Sequence, residues 1–145
     1  MQKQQDFSYS LTAKASAKDT MKKISQVNLW WAKNFEGKAA KLKDEFSVYF
    51  GDTYVNFSIS EVIPDKKITW LVTDCNLHWI KDKKEWKDTE VTWTLSEQNG
   101  KTRIDFVHKG LVPDSECYEN CKPGWTHHLK DSLLPLIETG KGFPE

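Results

Sequence analysis

The chain has 145 residues, 38% of them apolar and 12% aromatic, and its 21 basic and 21 acidic side chains cancel to zero net charge. That length suits one domain, 1–145, with a sizeable core, and the charge balance offers no global field to attract nucleic acid or an anionic membrane. Arg103 is the single arginine, so the usual bidentate reader of guanine is nearly absent, and no run of 18 apolar residues provides a membrane span.

FSYSLTA, residues 7–13, alternates with period two and reads as a half-buried strand. SAKDTMKKIS follows, with Ser16 as N-cap and Asp19 in the first helical turn. NLWWAKNFEG is read as a short helix or turn closed by Gly37, with one of Trp30 and Trp31 packed inward and the other near a pocket entrance. Two strands joined at Gly51-Asp52 come next, one with Phe46, Val48 and Phe50 on a shared face, the other with Val55, Phe57 and Ile59.

Pro64-Asp65 turns the chain into ITWLVTD, where Ile68, Trp70, Val72 and Asp74 share parity. IKDKKEWKD, which follows Trp79 and contains Trp86, reads as a solvated loop or, with those two tryptophans, a pocket rim. EVTWTLSEQNGKTRIDFVHKG is a hairpin. Asn99-Gly100 suits a type I′ turn because both residues tolerate positive φ. Trp93 lies on one apolar face, and Ile104, Phe106 and His108 on the other strand's.

Asp114 is read as the N-cap of a short helical turn, and Pro123 as the first residue of a long helix. That helix carries Trp125, Leu129, Leu133, Leu136 and Ile137 at helical spacing and ends at Gly140. Pro135 inside it should kink it or thin its hydrogen bonding near Asp131.

The expected fold is therefore α+β: a curved, antiparallel, six-stranded sheet around a long C-terminal helix, with two short helices after the first strand. This order resembles the helix-grip fold of the START-like, or SRPBCC, superfamily. LWWAKNFEG, ISEVIPDKKITWLVTD, KKEWKDT, FVHKGLVPDSECYENC and GWTHHLKDSLLPLIETGKGFP resemble proteins related to the activator of the heat-shock chaperone ATPase. The resemblance spans roughly residues 7–144. It implies a cavity between sheet and terminal helix that often holds apolar ligands, and functions ranging from lipid carriers to cyclases to co-chaperones.

On this reading the partner is a small hydrophobic or amphipathic molecule. The pocket wall is drawn from Phe57, Trp70, Trp93 and Phe106 on the strands and from Trp125 and Leu129 on the helix. Trp31 and Trp79 stand near the mouth, and Asp74 and His108 are the polar candidates. His108 is read either as a satisfied core histidine or as an anchor facing a hydrated cavity under Trp125. The alternatives are a chaperone-binding module and a cyclase- or hydrolase-like enzyme using His108 and Asp74.

No cofactor is expected. Cys117-x3-Cys121 with His127 and His128 invites a zinc reading, but adjacent histidines on a helix point about 100° apart, so no metal is assigned. Cys75, Cys117 and Cys121 are expected to be reduced thiols in a cytoplasmic protein. The first ten residues contain no apolar leader.

Overall fold

The structure is a computed structural model that describes residues 5–145; the first four residues of the stretch read as leader-free lie outside the described residues. In chain order come β1 (Phe7–Ala13), α1 (Ala17–Ser25), α2 (Val27–Trp30), β2 (Asn34–Gly37), β3 (Glu45–Phe50), β4 (Thr53–Ile63), β5 (Lys67–Asn76), β6 (Glu90–Gln98) and β7 (Lys101–Lys109). A helical stretch then runs from α3 (Tyr118–His128) through a π-helical segment (Leu129–Leu133) into α4 (Leu134–Thr139). The seven strands form one antiparallel sheet in the order β1-β7-β6-β5-β4-β3-β2. The expected six strands become seven because Asn34–Gly37 pairs with β3 as a four-residue edge strand. A segment so short and so exposed carries no alternation to read.

Local chemistry explains the turns and caps. The Ser16 hydroxyl accepts from the Asp19 N–H, as an N-cap should. Asn99 and Gly100 adopt φ of 56° and 78°, the pairing that a type I′ turn demands. Gly140 closes α4 at φ 86°.

The terminal helix starts earlier than expected. Tyr118 is its first residue, Cys117 is its N-cap, and Pro123, expected to open the helix, lies inside it. Pro135 leaves its mark one turn upstream. A proline at 135 has no N–H for the Asp131 carbonyl and crowds it. The helix answers by widening, so that the Leu134 N–H reaches back five residues to Leu129. The wide turn places the buried Ser132 hydroxyl on the Trp30 carbonyl at 2.6 Å. The same oxygen accepts the Phe143 N–H at 2.8 Å. The tail beyond α4 thus folds back onto α2.

One core cluster unites the inner faces of the strands, α1, α2 and the terminal helix. Trp125, Leu129, Leu133, Leu136 and Ile137 are all buried in it. Trp30 and Trp31 are both buried, because Trp31 follows the last turn of α2 and is free to stack on its neighbour at 5.9 Å.

Leu133 is fully buried, and removing such a side chain typically costs about 2–5 kcal/mol. Leu133→Ala should therefore lower the denaturant midpoint strongly. Leu29→Ala, at a side chain 41% exposed, should leave it nearly unchanged.

Candidate functional site

The site is assembled where the β5–β6 connection, residues 77–89, meets the start of α3. Two glutamates exchange places across this junction. The Glu85 carboxylate accepts the N–H groups of Glu116 (2.6 Å) and Cys117 (2.9 Å), which helix geometry leaves open. Glu116 in turn accepts from Lys81 (2.8 Å) and Asp82 (2.9 Å). These backbone donors hold the Glu116 carboxyl below its ordinary value. The charge-rich loop is thereby tied to the helix, and its inward residues Leu77, Ile80 and Trp86 are buried.

Trp86 stacks on Trp125 at 5.8 Å with ring planes 8° apart. The Trp125 indole N–H donates to His108 Nδ1 at 3.1 Å. That fixes the tautomer: His108 Nε2 carries the proton and donates to the Thr89 hydroxyl at 2.9 Å. The Thr89 hydroxyl in turn donates to the Trp86 carbonyl at 2.5 Å. Gly110 makes room for this chain, since it sits at φ +100° and a Cβ there would lie 2.6 Å from the Thr89 methyl group.

His108 is fully buried with both ring nitrogens engaged. It is the satisfied core histidine of the sequence reading. The alternative, an anchor facing a hydrated cavity, is corrected: no nitrogen remains for water or ligand. Burial pushes its pKa down to about 3.

Beside this chain lies a cavity of about 330 Å³. Four of the seven tryptophans wall it: Trp31, Trp79, Trp86 and Trp125. Phe50, Val55 and Leu77 complete the apolar side. Thr53, Asn120, His128 and Glu145 supply the polar groups, and no lysine or arginine is among the described lining residues. Burial holds the His128 pKa below its ordinary value. Trp79, 47% exposed, stands at the rim.

Of the sequence candidates, Trp31, Trp79 and Trp125 meet at this cavity. Phe57, Trp70, Trp93, Phe106 and Leu129 are buried in the core behind it and do not line it. Asp74 is elsewhere. Register runs Phe57↔Val72 and then Asn56↔Asp74, so a bulge at Thr73 reverses the alternation. Cys75 turns inward instead, and Asp74 pairs with the Lys84 ammonium at 2.9 Å. That hydrogen bond holds the Asp74 carboxyl below its ordinary value. Asp74 and His108 therefore do not form an acid–base pair.

Trp86 lines the cavity as well; the sequence marks it only as part of a charged run read as solvated loop or pocket rim. A lone tryptophan flanked by lysine and glutamate was the available signal. His128 enters the sequence reading only through the zinc alternative, and Glu145 carries no sequence signal, since a backfolded tail brings the two together: the Glu145 N–H donates to the Trp31 carbonyl (3.0 Å) and its carbonyl accepts the Lys33 N–H (2.9 Å).

The expectation of three free thiols is also corrected. Cys117 and Cys121 are joined as a disulfide, their Cα atoms 5.5 Å apart across the first turn of α3. Cys75 is free, buried, and its thiol pKa is raised by that burial, so it is a poor nucleophile.

His108 generates a pH prediction. In the unfolded chain it takes up a proton near its ordinary 6.5, whereas the folded chain resists protonation down to about 3. Stability is complete above 6.5 and falls as the pH drops through this window, by about 1.4 kcal/mol per pH unit for one proton. Denaturant titrations at pH 6 and pH 5 should show that loss. His108→Gln should reduce the slope by about one proton, while an unchanged slope would contradict the buried neutral imidazole. The lowered carboxylates Glu61, Asp74, Asp105 and Glu116 add their losses only below ordinary values of 3.8 to 4.5.

Comparison with known proteins places this architecture. No curated protein sequence matches the chain. Among solved structures, the Aha1 dimer from Colwellia psychrerythraea superposes with a TM-score of 0.77 at 20% identity, covering 94% of this chain and 98% of that one. A Staphylococcus saprophyticus protein gives 0.71 at 14% identity, with 95% of each chain covered. A Mesorhizobium loti protein gives 0.69 at 16% identity, covering 90% of this chain and 96% of that one. At such identities the likeness shows the shared fold alone. The sequence profile described as Activator of Hsp90 ATPase homolog 1-like protein matches residues 25–138, most of the chain, and the protein belongs to that family.

Proposed function

We propose that the cavity binds one small, neutral, apolar molecule with a flat or aromatic body. The observation that carries this reading is the cavity of about 330 Å³ walled by four tryptophans in a chain whose core is otherwise filled by aromatic side chains. Its volume falls at the lower end of the range typical of small-molecule sites, roughly 300–1,000 Å³. Aromatic walls favour offset or edge contacts with a flat ligand. The lining offers a carboxylate and an amide but no lysine or arginine, so a fatty-acid head group would find no ion-pair partner of that kind. A polar group on the ligand would face Asn120 and His128.

The family match favours a second reading, in which the surface docks on an Hsp90-type chaperone. Stimulation of a chaperone's ATPase by the purified chain would support it. A catalytic reading through Asp74 and His108 has no geometric basis, since each is engaged by other partners.

Gly124 gives the test. It lines the cavity, has ordinary helical φ, and a Cβ there would meet nothing within 4 Å. Gly124→Leu should fill the space without strain and gain helix propensity of about 1 kcal/mol. A neutral apolar fluorophore should bind the native chain stoichiometrically and quench tryptophan emission. Gly124→Leu should bind at least roughly tenfold more weakly, corresponding to about 1.4 kcal/mol, with no loss of melting temperature. Equal binding by both proteins, or by neither, would refute the proposal.

A further inference from the structure

At the polar edge of the cavity, His127, His128 and Glu145 each bring one potential ligand atom to within 4.8 Å of the other two. Adjacent histidines on a helix ordinarily diverge, yet here their ring centroids are only 5.4 Å apart. The backfolded tail delivers the third group, and its backbone is fixed to Trp31 and Lys33. We propose that these three residues form a binding site for a divalent transition metal of the zinc class.

Three further observations support the assignment. His127 Nδ1 lies 3.1 Å from Asp131 Oδ2, the carboxylate–histidine arrangement that orients metal-bound imidazoles. The opposite nitrogen, Nε2, then faces Glu145 Oε1 at 3.7 Å. This is too long for a hydrogen bond and close to the span of two ligands about 2.0–2.2 Å from a shared ion. Finally, His128 Nδ1 is buried with no hydrogen-bond partner. An unused buried imidazole nitrogen is costly, and a cation among these groups would use such lone pairs.

The chemistry of the set selects the ion. Two imidazole nitrogens and one carboxylate suit zinc, cobalt, nickel or copper better than magnesium or calcium, which prefer all-oxygen shells. Three protein ligands leave a tetrahedral ion one open position. His128 and Glu145 both line the cavity, so the site borders it. A water or a ligand's polar atom would complete the shell. The site does not depend on the cavity taking up an apolar molecule.

The test uses tag-free protein, freed of metal by chelator and kept without reductant so that Cys117 and Cys121 stay joined. Calorimetry with zinc chloride should give one ion per chain. Cobalt should produce a visible spectrum of nitrogen and oxygen ligation without a thiolate charge-transfer band, and should quench tryptophan emission, because the His128 ring lies 6.4 Å from Trp31. His127→Ala should weaken binding at least roughly tenfold, and Asp131→Asn should do so by roughly 10- to 100-fold. Both side chains are exposed, so these variants should fold as the native chain does. His78→Ala, at an exposed histidine in the β5–β6 connection, should change nothing. Absence of stoichiometric binding, equal binding by His127→Ala, or a thiolate band would each overturn the proposal.

Discussion

A single hydrogen-bond chain holds the terminal helix to the sheet: Trp125 to His108, His108 to Thr89, Thr89 to the Trp86 carbonyl. It solves a problem that packing alone leaves open. An aromatic helix face could slide over an aromatic sheet face at small cost, since such contacts are weakly directional. A buried imidazole with two required partners cannot slide, because any shift strands a polar atom away from water. The neutral histidine thus acts as a registration pin among helix, strand and loop.

The cavity follows from that pin. Trp125 is drawn toward His108, and Trp86 stacks against it from the loop. Gly124, the residue before Trp125, leaves open space where a side chain would otherwise sit. The reciprocal Glu85 and Glu116 contacts tie the loop to the start of α3 beside this space. The tail, held by Ser132 and Trp31, forms the opposite wall. Ser132 reaches that role through the π-helical turn that Pro135 imposes. A proline that looks like a flaw in the sequence helps place the polar edge of the site.

Much of the fold was legible because its signals are local. Asn99-Gly100, Ser16 and Gly140 each announce a backbone conformation through their own chemistry. The apolar spacing from Trp125 to Ile137 identified the buried helix face. What escaped depended on non-local effects. The bulge at Thr73 reversed the face on which Asp74 lies, and no residue there declares it. The edge strand Asn34–Gly37 exists only because β3 offers it partners. Trp86 became part of the site through the pairing of its neighbour Glu85 with the distant Glu116 and Cys117, and Glu145 through backbone pairing with Trp31 and Lys33. Three of the ten candidate site residues reached the cavity. Alternation identified inward-facing aromatics but not which of them border empty space.

The tryptophans provide the most direct check on the cavity as a binding site. Four of the seven line it, while Trp30, Trp70 and Trp93 are sealed in the core. In a nitrogen-15 spectrum of the seven indole N–H groups, a saturating neutral aromatic ligand should shift the signals of Trp31, Trp79, Trp86 and Trp125. Those of Trp30, Trp70 and Trp93 should stay in place. Seven unmoved signals, or shifts confined to the core three, would contradict a ligand in this cavity.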